Sequence, residues 1–442
     1  MDDTSPADGD RTLLDRLFRR GELQVSQRAL VDLATSEVAA VRILTHGPLS
    51  SDPLSSDAVE HGSPGPAEVR RLIGSAPDPA TLDAAVRARA LAAADADPLV
   101  PGAARVIDAE LSGLSELGLS PQPAPTVLVL DARTVLDRPA SMLRLVGAAR
   151  AQGWQLGLRQ VGADHLSLAA LGVVEPALVV LSDRVLREPT SQLSVETIQA
   201  TTAFVHTSGG TVAAEDVDDH PGTRAAAVAA GATLVTGRPL DRPRRVRPVG
   251  GDRLFRRFTP PLPTPHRSPF ELASRRAAPR RAGKELLLAV SRRLEATATT
   301  AGRSSMVLAA FQQARHLTPG TLERYERLGR RCSLVLAAAQ DVARTTVPGV
   351  SVADLDASDP LVQEWDILVL SPTGAAMLAA RDTGLPAADD RSRQFDYVLS
   401  HDRDLVAHAA RSMLTRLTQR SDAPDPDPVP VGAEALAGPG PS

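Results

Sequence analysis

Between Gly153 and Pro243, short apolar runs alternate with segments of helical period. Leu156 to Val161, Ala177 to Leu181, Thr211 to Ala214 and Thr233 to Val235 are too short for helices and are bounded by turn residues, so they read as strands. Ser194 is expected to cap a helix that carries Val195, Ile198, Thr202 and Val205 on one face and stops at Gly209. Thr223–Ala230 is an alanine-rich helix ended by Gly231. Strand and helix in alternation predict βα units over a mostly parallel sheet.

The pattern extends in both directions. Arg11 to Arg20 predicts a short helix with Leu13, Leu14, Leu17 and Phe18 apolar. The stretch LQVSQRALVDLATSEVAAVRILTHGP gives two strand-like runs around a turn near Ser36. Residues 49–66, rich in Ser, Pro, Asp and Gly, read as a loop. Thr81 to Ala94 is a helix, and Val106–Asp108 and Val127–Leu130 are strands. Ala140 to Ala151 is a helix with Met142, Leu145, Val146 and Ala149 on one face. From Arg238 to Arg281 the periodicity breaks, with thirteen arginines and prolines at 260, 261, 263 and 265. Order returns at Ser268: a helix around Glu285–Ala296, a strand in SSMVLAAFQ, a helix in TLERYERLGRR, and strands in SLVLAAA, WDILVLS and FDYVLS. An amphipathic helix over Arg403 to Leu417 closes the second unit. Residues 421–442 are too rich in Pro and Gly to build a core.

Composition limits the chemistry. The 442 residues are 43% hydrophobic but only 2% aromatic, so the cores are built from Ala, Leu and Val. Cys332 is the one cysteine, which excludes an intramolecular disulfide and suits the cytoplasm. No uninterrupted apolar stretch of about 18 residues predicts a membrane span, and the acidic start MDDTSPADGD is unlike a secretory signal. A net charge of −4 points to no partner class.

The order of pieces resembles EAL domains, the cyclic di-GMP phosphodiesterases. The run LQVSQRALVDLATSE resembles that family's QPIVDLATGE opening, and RQVG, VLS, EDVD and TG…DRP stand where it has DDxG, KLD, EGxE and QG…GRP. The resemblance implies a modified (β/α)8 barrel over residues 21–245, behind a 1–20 tail and short helix. It also implies that the polar chemistry has changed. The signature glutamate falls on Arg42, the asparagine ligand on Asp108, and the second glutamate on Leu130. The aspartate pair falls on Arg159 and Gln160, and KLD on Val180 and Ser182. The substrate-side glutamines fall on Arg28 and Thr236, and the arginine after the signature is His46. Only Glu215 and Asp218 keep acidic character.

Hydrolysis of this type needs divalent metals held by oxygen ligands. Guanidiniums at 42 and 159 put positive charge where the cations sit, which costs several kcal/mol even at an effective dielectric of about 20. The expectation is a degenerate, non-catalytic barrel with no metal and no cofactor. Arg28, Arg42 and Arg159 form either an anion pocket or ion pairs to Asp108 or Glu215. Glu215 and Asp218 are either remnant ligands or a surface loop.

Residues 268–420 resemble DICT domains, sensory modules of diguanylate cyclases and two-component proteins. The matching features are SPFE at Ser268, Phe311-Gln312, Arg324-Tyr325, Arg331-Cys332, Glu364-Trp365-Asp366 and the HDRDLV run from His401. Trp365, Arg381, His401 and Arg403 are the candidate ligand-binding residues; the alternative is that Trp365 packs the domain and the charged pairs cap strands. Cys332 is either a redox-sensitive thiol or core. Residues 246–267 are the linker between the two units. The arginines of the wider stretch 238–281 invite nucleic-acid binding, which the scarcity of aromatics apart from Phe255, Phe258 and Phe270 disfavours.

The sequence therefore predicts an α/β protein: a degenerate EAL-like barrel followed by a smaller DICT-like α/β domain. The function expected is non-catalytic cytoplasmic signalling, with an unknown small ligand or a signalling protein as partner and a homodimer left open. The alternatives are a phosphodiesterase with a divergent metal site and a nucleic-acid-associated regulator using the basic linker.

Overall fold

The structure, a computed structural model, describes residues 13–48, 64–114, 124–215, 217, 221–237, 267–418 and 420. Eight strands close into a barrel in chain order: β1 (Gln24–Asp32), β2 (Val38–His46), β3 (Ala104–Asp108), β4 (Thr126–Asp131), β5 (Gln155–Val161), β6 (Leu178–Leu181), β7 (Thr211–Ala214) and β8 (Leu234–Val235). All neighbours run parallel except β1, which is antiparallel to both β2 and β8. The short β1–β2 turn dictates this reversal. Asp32 accepts hydrogen bonds from the backbone of Ala34 and Thr35, and Ser36 takes a left-handed φ of 57°.

The barrel is wrapped by α1 (Pro66–Gly74), α2 (Pro79–Ala96), α3 (Pro139–Ala151), α4 (His165–Val174), α5 (Asp183–Arg187), α6 (Gln192–Ser208) and α7 (Pro221–Ala229). Its interior is filled by Leu30, Ala40, Val106, Val129, Val180 and Ala213, small residues that suit a narrow lumen. Alternate residues of the same strands, such as Leu128, Leu130 and Leu158, face outward into the helical layer.

One local expectation is corrected. Ser194 is not the cap of α6; Ser191 is, its side chain accepting from the Ser194 N–H, while Ser194 is buried one turn inside. The stop at Gly209 is as expected, with φ 66° and its N–H on the Val205 carbonyl. Of the expected loop 49–66, residues 49–63 lie outside the described residues, and helix α1 begins at its far edge. Pro66 is its first residue, and Val69, Leu72 and Ile73 are buried beneath a segment whose upstream Ser, Pro and Gly mask the periodicity.

The second unit is a mixed seven-stranded sheet. Its strands are β9 (Arg280–Gly283), β10 (Met306–Gln313), β11 (Leu334–Gln340), β12 (Ser351–Asp354), β13 (Glu364–Leu370), β14 (Ala375–Asp382) and β15 (Gln394–Ser400), in the spatial order β12-β11-β10-β13-β14-β15-β9. Its helices are α8 (Pro269–Ser274), α9 (Lys284–Thr300), α10 (Pro319–Gly329) and α11 (Arg403–Leu414). Ser268 and Glu271 form a reciprocal capping box at the start of α8. Val307, Ala309 and Phe311 of β10 join a core with α9 and α10, while Met306, Leu308 and Ala310 join the core on the opposite face. Burial on both faces explains the continuous apolar runs. Strand β14 escapes the sequence reading because AAMLAARD is made of helix formers; pairing with β13 and β15 overrides that propensity.

The core on that opposite face does not stop at the second unit. It runs unbroken from Leu368 and Leu370 through Leu405, Val406 and Met413 into Leu168 and Leu171 of the barrel's α4. Arg411 of α11, 2% exposed, donates to the Val173 carbonyl at 2.8 Å and is ion-paired with Glu175. An added Cβ on Gly172 would meet Leu370 at 3.2 Å, so a glycine there lets the two units close. The expected linker, 246–267, lies outside the described residues except for residue 267, as do the 1–10 and 421–442 tails. No helix among the described residues is long and apolar enough to cross a membrane.

Candidate functional sites

At the C-terminal ends of the barrel strands, four arginines and four carboxylates converge. Arg42, rising from β2 and 1% exposed, donates Nε to Glu215 Oε1 and Nη2 to Asp108 Oδ1, each at 2.7 Å. The second Asp108 oxygen accepts from Arg70 of α1. Arg159 contacts Asp131 at 2.9 Å, Asp108 at 3.6 Å and Glu110 at 3.8 Å, and Arg133 adds a bidentate contact to Asp131. Burial alone would raise the Asp108 carboxyl; the guanidiniums of Arg42, Arg70 and Arg159 outweigh it and hold the group well below the usual carboxylate range. Burial would likewise lower Arg42, but Asp108 and Glu215 hold it above its ordinary value. Each cation faces at least one carboxylate, so the cluster is a charge-balanced lattice. Arg42 stands between Asp108 and Glu215, so in this arrangement those two carboxylates share no open space for a dication.

Arg42, Asp108, Arg159 and Glu215 are thus brought together, and for Arg42 and Arg159 the ion pairs are the reading that forms. Gln160 takes a left-handed φ of 59° at the β5–β6 register shift, beside the cluster rather than in it. Asp218 lies outside the described residues. Leu130 packs outward, and the neighbouring Asp131 is the carboxylate that β4 presents at the mouth; the sequence alignment passed over it by one residue. Val180 lines the lumen, and Ser182 caps α5. Arg28 sits opposite Arg42 in the β1–β2 register.

In the second unit, α9, α10 and the sheet enclose a cavity of about 610 Å3, its open mouth included. Two edge-to-face aromatic pairs wall it: Phe311 with Tyr325 at 5.1 Å and Trp365 with Phe395 at 5.8 Å, both at 75°. Arg324 lies over Tyr325 at 5.9 Å and Arg393 over Phe395 at 5.2 Å. Arg324 is ion-paired with Glu295, Lys284 with Asp390, and Arg393 with Asp382 and Asp390. Burial raises the Glu295 carboxyl against the pull of Arg324. Burial also lowers His316, assisted by Lys284, Arg315 and Arg393, so its ring is neutral at pH 7.

Of the four candidate ligand residues, Trp365 alone lines this cavity. Arg381 donates to Glu364 at 2.7 Å and lies 4.7 Å over Phe270, pinning α8 to the sheet. Arg403 donates to the Ser371 carbonyl at 2.9 Å beside Gly172, at the junction of the two units. His401 is exposed, and its neighbour Asp402 caps α11. The structure does not bring these four together. Phe311, Gln312, Arg324 and Tyr325, which carried the DICT resemblance, line the cavity instead, with Ser291, Glu295 and His316 as residues not anticipated. Cys332 is buried against the Ser305 hydroxyl, and burial pushes its thiol up, as a core cysteine.

Comparison with curated proteins gives no match. Among solved structures, the chain is similar to the S helix-GGDEF-EAL protein LapD of Vibrio cholerae bound to c-di-GMP, at 13% identity and a TM-score of 0.43, covering 54% of this chain and 59% of that one. It is also similar to the FimX EAL domain of Xanthomonas citri in complex with c-diGMP, at 17% identity and a TM-score of 0.38, covering 52% and 91%. A third is the Klebsiella pneumoniae BlrP1 manganese/cy-diGMP complex, at 18% identity and a TM-score of 0.39, covering 49% and 54%. Residues 270–383 match the family model of DICT, the sensory domain in diguanylate cyclases and two-component systems.

Proposed function

We propose that this chain is a cytoplasmic signalling protein in which the DICT unit senses a small ligand and the EAL-like barrel serves as a non-hydrolytic scaffold or relay in cyclic di-GMP signalling. The observation that carries the barrel's part is Arg42, which bridges Asp108 and Glu215 at 2.7 Å each. Those carboxylates would have to hold a dication in a phosphodiesterase of this architecture, and they are filled by N–H donors. The residues present therefore do not fit the metals. The DICT unit's part is supported by the aromatic cavity. Its rings are locked in pairs, and Lys284, Arg324 and Arg393 are held by ion pairs, so much of it is shaped before any ligand arrives. The continuous core between α11 and α4 offers a path by which strain at the sheet reaches the barrel. The test of the scaffold reading is calorimetry with Mn2+. No saturable heat is expected from the intact protein; tight, stoichiometric Mn2+ binding lost in Glu215→Ala favours the phosphodiesterase alternative.

A further inference from the structure

Three features of the DICT cavity remain unexplained by packing. Ser291, on the buried face of α9, is 5% exposed, and its hydroxyl has no hydrogen-bond partner among the described residues. A buried hydroxyl is normally satisfied, so one left open on a cavity wall marks a place for a ligand atom. His316 is the second. Its Nδ1 contacts the Phe311 carbonyl at 2.8 Å, which fixes the proton there and leaves Nε2 of the neutral ring as an acceptor. The third is charge. Lys284, Arg324 and Arg393 are balanced by Asp390, Glu295 and Asp382, whereas Arg292, exposed at the rim and acting on Glu295 at longer range, has no ion pair among the described residues. The local balance is one positive charge.

We infer that the cavity binds a planar aromatic monocarboxylate of one or two rings that carries a ring O–H or N–H. This rests on the reading of the DICT unit as the sensing part and names its ligand class. The ring packs against the aromatic side chains that wall the cavity, Trp365 and Phe311 being the more open member of each pair. The carboxylate takes the Ser291 hydroxyl and the unpaired Arg292, a charge-assisted contact. The ring O–H or N–H donates to His316 Nε2. A dianion would leave one charge unmatched, and a saturated acid would lose the ring contacts.

Tryptophan fluorescence and calorimetry on the full chain test this with four probes: 4-hydroxybenzoate, indole-3-acetate, cyclohexanecarboxylate and indole. The two aromatic acids are expected to bind saturably and about tenfold or more tighter than the saturated acid and the neutral ring. Arg292→Ala is expected to weaken the acids about tenfold and leave indole unchanged. Ser291→Ala, which removes only a hydroxyl, weakens the acids in the same sense. Equal binding of all four probes, aromatic-acid binding indifferent to both substitutions, or no binding by any probe overturns the ligand class. The sensing reading itself is tested separately by Ser291→Phe, which fills the cavity. Cellular signalling unchanged in that variant, with the protein folded, sinks the sensing reading whatever the probes do; altered signalling supports it even where the aromatic acids fail.

Discussion

Arg411 of α11 is ion-paired with Glu175, the left-handed residue that ends α4 of the barrel, so the last helix of one unit closes the C-terminus of a helix in the other. Arg150 approaches from α3 to the Val174 and Glu175 carbonyls, and burial beside Arg411 lowers it to about 10. With an apolar core continuous around these groups, thermal unfolding should show one cooperative transition rather than one per unit. Arg411→Ala leaves Glu175 unpaired and should destabilise the chain by about 3–5 kcal/mol. Two resolved calorimetric transitions in the unaltered protein would contradict a shared core.

Asp366 gives a pH dependence of known sign. It is fully buried on β13, neither carboxylate oxygen makes a hydrogen bond of good geometry, and burial followed by the neighbouring Glu364 pushes its carboxyl well above the usual range. The folded state therefore binds this proton more tightly than the unfolded chain. Its stabilising contribution is complete below the unfolded value of 3.8 and is lost as pH rises through the folded one. Asp366→Asn should flatten the stability profile above pH 4 by up to about 1.4 kcal/mol per pH unit within that window. Denaturant midpoints measured at intervals from pH 5 to 8 check it; parallel profiles for the two proteins would show that Asp366 is ionised when folded.

The arginine lattice at the barrel mouth has the opposite sign. Asp108 is held low by Arg42, Arg70 and Arg159, so its contribution is present above its unfolded value of 3.8 and is lost as pH falls from there through the lower folded value. Arg42→Ala removes the shared partner of Asp108 and Glu215 and should cost about 3–5 kcal/mol at pH 7. The penalty should shrink at pH 3, below the unfolded value of Asp108, where the unfolded chain takes up that proton and the unaltered protein loses part of its advantage. Urea titrations at the two pH values measure the difference, and an equal penalty at both would mean that Arg42 acts by packing alone.

Much of the barrel was legible because its frame is written in period. Strand and helix alternate over Gln155–Val235, and Gly209 and Gly231 stop helices where the sequence puts them. The mouth was legible in part. Alignment to family motifs brought Arg42, Asp108, Arg159 and Glu215 to one place, but at β4 it chose Leu130 over Asp131, because a one-residue register error sends a strand residue to the other face. The cavity was largely hidden. Ser291 and Glu295 sit on the buried face of α9 beside Leu287 and Leu294, and a helix pattern gives no sign that two polar positions inside an apolar stripe border a void. Arg381, Arg403 and His401 stood near the right motifs yet serve the α8 contact, the inter-unit junction and the approach to α11.

The central claim is that Arg42 locks the carboxylates that a phosphodiesterase would give to metal. The most direct measurement is turnover of cyclic di-GMP by the purified full chain with Mg2+ or Mn2+, followed by separation of the linear dinucleotide. The account predicts no product above a no-enzyme control at any metal concentration. Product that accumulates with time and is abolished by Glu215→Ala would contradict it.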